Sequence, residues 1–219
     1  TSSLAALMDI AVGRSGALVF DEESWNPVTW ESCQTGSMRA YCGSKKLAEK
    51  AAWEFYNMNK NIVKFKMTTV LPVYVFGPQC FDEDVQGCLN QSCELINALI
   101  QGDPQEEAAK TLAAQFIDVR DVAKAHLIAF QKDEAIGQRL IISNGQFTFQ
   151  DVIDQLNEDF PQLRRKIPIG QPGEGKKEHS RFFSLNNAKS RKILGFEFKS
   201  FQDTIDDSAS QILKREDMA

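Results

Sequence analysis

The stretch from Ile62 to Val75 constrains this chain most. Its first half alternates apolar and polar residues, and from Val70 it runs continuously apolar into Val73 and Val75, the pattern of a strand buried on both faces. Such strands belong to parallel sheets, whose neighbours are joined by crossovers, usually helices. Pro72 ends the ladder pairing, because proline has no N–H to donate. Just before this strand, Arg39 to Asn57 is rich in Ala, Lys, Glu and Leu and has no proline, which predicts one long helix. A long helix feeding a buried strand points to an α/β chain.

Within that helix Tyr41 and Lys45 are four positions apart and share a face. A cation beside a phenol favours the phenolate and lowers a pKa that is otherwise about 10, towards the value of a general acid working near neutrality. Gly43 and Ser44, lying between them, leave room for a flat ligand. The same spacing recurs at Tyr56 and Lys60, at the frayed end of the helix among Asn57, Met58 and Asn59, where an exposed aromatic is the plain reading.

Composition narrows the class further. The chain has 219 residues, 42% hydrophobic and 25% charged, which suits a globular protein with one sizeable core or a core with a satellite lobe. Its 30 acidic and 25 basic residues give a net charge of −5, and the basic ones are scattered, so there is no nucleic-acid footprint. No apolar run approaches the roughly 18 residues of a membrane span, and the start lacks the basic segment and apolar core of a signal peptide. A cytosolic protein is expected. Five cysteines, Cys33, Cys42, Cys80, Cys88 and Cys93, include no Cys-x-x-Cys, and His126 and His179 lie far from them in sequence. Neither a disulfide framework nor a metal site is expected, and Cys42 reads as a small buried residue.

Two glycine-rich stretches fail as phosphate loops. Gly13-Arg14-Ser15-Gly16 and Gly170-Gln171-Pro172-Gly173-Glu174-Gly175 neither follow a strand nor open a helix, so the dinucleotide fingerprint is absent. Asp21 to Met38 reads as an irregular segment that packs Trp25 and Trp30 into the core. A helix is expected from Ser92 to Ile100, and a loop or short helix in the acidic, alanine-rich run from Asp103 to Gln115. Asp118 should N-cap a helix to Gln131 with Asp121 in its first turn; His126 on that helix reads as packed or hydrogen-bonded. Arg139 to Ser143 makes a short strand. Thr148 and Asp151 form a capping box that starts a helix whose core residues are Phe149, Val152, Ile153 and Leu156. A polar loop runs from Gly170 to Arg181, Asn186 to Leu194 is a short helix stopped by Gly195, and Ser200 caps a last helix to Lys214.

Thr1-Ser2-Ser3-Leu4-Ala5-Ala6, the Tyr41 helix, and Phe65-Lys66-Met67-Thr68-Thr69-Val70-Leu71-Pro72-Val73-Tyr74-Val75-Phe76-Gly77-Pro78 follow one another in an order that resembles the extended short-chain dehydrogenase/reductases. Glu22-Glu23-Ser24-Trp25-Asn26 and the run from Tyr41 to Phe55 look like the fungal NADPH-dependent methylglyoxal and aldehyde reductases, relatives of plant dihydroflavonol and cinnamoyl reductases. The resemblance covers essentially the whole chain but only part of the family's length; what would precede Thr1 is missing, and the chain reads as a fragment.

The resemblance implies the C-terminal half of a doubly wound, Rossmann-like parallel sheet with a smaller α+β substrate lobe. Residues 1–136 would form the second half of the dinucleotide-binding domain, with a substrate-lobe insertion near 80–115, and residues 137–219 most of the lobe. It implies reduction of small carbonyl compounds by hydride from NADPH, with Tyr41 protonating the oxygen, Lys45 also holding the nicotinamide ribose, and Ser3 hydrogen-bonding the reacting oxygen. Ser3 is chosen over Ser2 because the second serine has that place in the relatives, and successive residues of a strand face opposite ways. Pro72, Val75 and Ser92 would lie along the cofactor, and Leu4 and Tyr74 would face the substrate, with Met8 adding to an apolar pocket. For Tyr74 a half-buried strand aromatic is the alternative. Most relatives carry Asn before this proline; Leu71 stands here.

Two rivals follow from the same residues. A sugar-nucleotide epimerase or dehydratase would keep Tyr41 and Lys45 but would want polar or basic residues where Cys80, Phe81 and Asp82 stand. A non-catalytic remnant or binding module that kept the fold's second half would fit the absent fingerprint. The chain alone is expected to be inactive, with the missing N-terminal half as its expected partner.

Overall fold

A computed structural model describes residues 1–9, 16–82, 89–103 and 113–217. Its strands in chain order are β1 (Val19–Phe20), β2 (Thr69–Pro72), β3 (Tyr74–Phe76), β4 (Ala113–Asp118), β5 (Arg139–Ile142), β6 (Gln146–Thr148) and β7 (Ser184–Leu185). Its α-helices are α1 (Ser37–Asn59), α2 (Gln91–Ile100), α3 (Val119–Gln131), α4 (Phe149–Asp159), α5 (Glu174–Glu178), α6 (Ala188–Leu194) and α7 (Phe201–Asp217). The chain divides into two compact units. The first holds Thr1–Val73, Val122–Ser143 and Arg181–Glu197, the second Tyr74–Asp121, Asn144–Ser180 and Phe198–Ala219. Gly13-Arg14-Ser15, Cys88 and residues 104–112 of the acidic run lie outside the described residues.

In the first unit β2 and β5 pair in parallel, from Thr69 opposite Arg139 to Pro72 opposite Ile142, and β1 pairs in parallel with β7. All four residues of β2 and all four of β5 are buried, which accounts for the continuous apolar run. Pro72 closes β2, and the run that reads as one strand is in fact two, with β3 belonging to the second unit. Ala6, Leu7, Met8, Leu71, Ile141 and Phe183 form one cluster of its core. Met8, expected in a pocket, is only 1% exposed within it. The α1 helix seats on this unit through Cys42, which packs with Ala5, Val28 and Cys33. The space beside Gly43 is filled by protein: a Cβ there would stand 2.5 Å from the Cys33 Cβ, so Gly43 is a packing glycine and leaves no room for a ligand. Trp30, expected inside, is 66% exposed; the segment is held instead by Asn26, whose side-chain amide donates to the carbonyls of Ala5 and Met8. On α3, His126 Nδ1 lies 2.8 Å from the Val122 carbonyl and Nε2 2.7 Å from Thr1 Oγ1, a hydrogen-bonded histidine. The α6 helix ends at Gly195, whose φ of 69° is the left-handed value that glycine adopts without strain.

In the second unit β4 pairs in parallel with β3 and antiparallel with β6. Ala113–Gln115, expected in a loop or short helix, are the first half of β4 and face Gln146–Thr148. Phe76, Phe116 and Phe147 meet Ile96 of α2, Val152 and Leu156 of α4 and Ile205 of α7 in the core. Val152, Ile153 and Leu156 are fully buried and Phe149 is half-buried. The capping box forms as the sequence predicts: the Asp151 N–H donates to Thr148 Oγ1, and the Thr148 N–H donates to Asp151 Oδ2 at 2.6 Å. The segment from Gly170 to Arg181 is more ordered than a loop. It contains α5 and a short 3-10 turn (His179–Arg181), and Gly175 lies against the capping box, where a Cβ would collide with Thr148 Oγ1. His179 Nε2 then reaches Asp151 Oδ2 at 2.8 Å. Among the described residues no helix is long and apolar enough to cross a membrane.

Candidate active site

Three of the residues singled out from the sequence come together in the first unit. Ser3 Oγ and the Tyr41 hydroxyl lie 3.4 Å apart, and the Lys45 ammonium stands 5.9 Å from the centre of the Tyr41 ring. The helix does part of this work, since residues four apart share a face. The rest comes from the segment at Ser2 and Ser3. The backbone of Ser3 is extended, with φ −162° and ψ 156°, so Ser2 and Ser3 point opposite ways. The Ser2 N–H donates to the Val70 carbonyl of β2 at 2.7 Å, and Ser3 then opens a 3-10 turn, Leu4–Ala6, accepting from the Ala5 N–H. Tyr41 is 47% exposed and Lys45 and Leu4 are half-buried, so a polar group from solution can reach the hydroxyl pair.

Tyr56, the second tyrosine with a lysine four positions on, packs instead. Its ring stands edge-on to Trp53 at 6.2 Å and against Phe65 at 5.9 Å. Pro72 is buried at the end of β2. Tyr74, Val75 and Ser92 belong to the second unit. There the Ser92 hydroxyl donates to the Val75 carbonyl, and Tyr74 lies half-buried against Phe76 and Phe147, where burial pushes its phenol pKa up. Leu71, the residue before Pro72 in β2, is wholly buried.

One group near the site escaped the sequence reading. Glu49, four positions beyond Lys45 on the same helix stripe, is 4% exposed. Its Oε1 accepts from Arg139 Nε at 2.8 Å, from Thr69 Oγ1 at 2.8 Å and from the Trp53 indole at 3.2 Å. Its Oε2 accepts from the Ser2 hydroxyl at 2.5 Å. Burial pushes the Glu49 pKa up, but hydrogen bonds from Arg139, Ser2 and Thr69 and the charge of Arg139 outweigh it, and the net displacement is below the ordinary carboxylate value. Arg139 also donates to the carbonyls of Glu22 and Ser24 and lies 3.7 Å from the centre of the Trp25 ring. The i, i+4, i+8 series Tyr41, Lys45, Glu49 was the available signal.

No family model matches the chain. It is 58% identical over 216 residues to the NADPH-dependent methylglyoxal reductase Gre2 of Saccharomyces cerevisiae, covering 99% of this chain and 63% of that protein. It is 43% identical over 213 residues to a putative NADPH-dependent methylglyoxal reductase of Candida albicans, covering 97% of this chain and 62% of that one. The crystal structure of yeast methylglyoxal/isovaleraldehyde reductase Gre2 complexed with NADPH superposes with a TM-score of 0.94 at 57% identity, over all of this chain and 64% of that one. The chain has a Rossmann-like α/β fold. The chain spans under two thirds of the length of these relatives. Vestitone reductase from alfalfa, at 24% identity and a TM-score of 0.69, shares the fold.

Proposed function

We propose that this chain carries the chemical residues of an NADPH-dependent carbonyl reductase of the extended short-chain dehydrogenase/reductase family, acting on small aldehydes or ketones of the methylglyoxal kind. The observation that carries the proposal is the Ser3 and Tyr41 hydroxyl pair at 3.4 Å with a lysine one helical turn away. Two hydroxyls at that spacing can both hydrogen-bond one carbonyl oxygen. NADPH, when bound, supplies the hydride. Ser3 donates a hydrogen bond to the substrate oxygen and polarises the carbonyl. As negative charge gathers on that oxygen, the Tyr41 O–H gives up its proton to it, leaving an alcohol and a tyrosine anion. The Lys45 ammonium stabilises that anion and, by the family likeness, hydrogen-bonds the nicotinamide ribose.

An exposed phenol beside a half-buried lysine fits a cofactor laid across the helix face. Contacts from Pro72, Val75 and Ser92 to the cofactor, and from Leu4 and Tyr74 to the substrate, belong to the same proposal and rest on the family likeness. A cytosolic setting goes with it.

Tyr41→Phe in a protein carrying these residues at the relatives' full length tests the reading. Loss of the donated proton should lower kcat for methylglyoxal reduction by about 10²- to 10⁴-fold, the usual contribution of general acid catalysis. NADPH binding should be largely kept. Wild-type turnover in this variant would refute the assignment.

A further inference from the structure

We propose that Glu49 is a positioning residue: acting through the Ser2 hydroxyl, it sets Ser3 opposite Tyr41. The proposal rests on the reading of Ser3 and Tyr41 given above and adds to it a residue that touches neither substrate nor cofactor.

Three segments must keep register for Ser3 Oγ to meet the Tyr41 hydroxyl: the Thr1–Ser3 stretch, α1, and the β2–β5 pair. Each is tied to one carboxylate. Ser2 reaches Oε2 at 2.5 Å from the first, Glu49 itself belongs to the second, and Thr69 of β2 and Arg139 of β5 both reach Oε1 at 2.8 Å. Ser2, Thr69 and Arg139 are each 8% exposed, so solvent does not compete with these bonds. Hydrogen bonds to an ionised group are shorter and about twice as strong as neutral ones, and Glu49 holds several from directions that do not coincide. Because Ser2 and Ser3 are adjacent in extended backbone, fixing the inward hydroxyl of Ser2 fixes the outward direction of Ser3. Glu49 stands two helical turns beyond Tyr41 on the same stripe, so the anchor and the acid share one rigid element. A misplacement of 1 Å in a reacting group can cost about 10²-fold in rate, so a tie of this kind is visible in kcat.

Steady-state reduction of methylglyoxal by Ser2→Ala, Ser3→Ala and the double variant, in the protein at its relatives' full length, tests this, with thermal melts as control. Ser2→Ala removes one hydroxyl and leaves the ion pair in place. The expected result is a fall in kcat of roughly tenfold with KM unchanged and a melting temperature shifted by only a few degrees. In the Ser3→Ala background the same change should lower kcat no further, because Ser2 has then lost the group through which it acts. Glu49→Gln, if it folds, should lower kcat at least as much. The inference is overturned by wild-type kcat in Ser2→Ala, or by an equal fractional loss in both backgrounds, which is the mark of a general structural effect. Wild-type kcat in Ser3→Ala would instead remove the catalytic reading of Ser3 and this inference with it.

Discussion

At the scale of single residues, the α1 helix holds two tyrosines in different surroundings. Tyr41 is exposed and faces Ser3, whereas Tyr56 on the same helix is packed by Trp53 and Phe65. Tyr56→Phe should therefore leave kcat within about twofold of wild type, in contrast to the loss expected of Tyr41→Phe; equal losses in NADPH oxidation would erase the distinction between them. Gly43 makes a different demand. A methyl group at this position would overlap Cys33, with 2.5 Å between the two Cβ atoms. Overpacking of a rigid contact costs about 1–3 kcal/mol, so Gly43→Ala should lower stability by that amount in urea melts. An unshifted midpoint would show that the short 3-10 turn Ser32–Thr35, which carries Cys33, yields easily.

At the scale of elements, β2, β5 and α1 are held together by a buried ion pair as well as by apolar packing. Removing one partner of such a pair strands an uncompensated charge and costs about 3–5 kcal/mol. Arg139→Met should show a loss of that size, since it removes the cation paired with Glu49, a carboxylate buried in the fold. The pH dependence follows from the direction of the Glu49 shift. Its pKa in the fold lies below the ordinary carboxylate value because hydrogen bonds and charge from its partners outweigh burial, so the folded state binds the proton less readily than the unfolded chain does. The stabilisation is therefore present above the unfolded value of about 4.3 and is lost as pH falls through the lower folded value. Asp118, buried at the start of α3 and paired with Arg120 at 2.6 Å, is displaced in the same direction, its burial outweighed by hydrogen bonds from Arg120. Melting temperatures should fall as pH is lowered below about 4. The Glu49→Gln variant, less stable at neutral pH, should lose less over that range, and parallel curves for the two proteins would argue against the assignment.

At the scale of the whole chain, the residues proposed for chemistry are present while the strand, glycine turn and helix that hold a pyrophosphate are not found in the sequence. Backbone hydrogen bonds to a charged group contribute about 1.5–3 kcal/mol each. Three of them amount to more than a thousandfold in affinity. The 219-residue chain should therefore bind NADPH at least a thousandfold more weakly than a protein of the relatives' length, as read by titration of cofactor fluorescence. A micromolar dissociation constant with measurable methylglyoxal reduction would overturn that expectation.

The sequence alone determined what depends on near neighbours along the chain. Helical spacing put Tyr41 and Lys45 on one face, and the run Val70 to Val75 reads as buried because its side chains are apolar on both sides of the pleat. The Thr148 and Asp151 capping box, the Gly195 helix stop and the Ser200 cap are likewise local, and each forms where the residues place it. Tertiary structure decided what depends on distant partners. Pro72 divides one apolar run into β2, which pairs with β5, and β3, which pairs with β4; no local pattern names a strand's partner. Trp30 lies outside and Met8 deep inside, although local composition suggested a buried indole and a pocket methionine. No local pattern marks Glu49 as buried; its burial depends on Arg139, ninety positions away, which neutralises it. A charge leaves water only where a distant counter-charge and donors replace its hydration, and those partners are brought in by the fold.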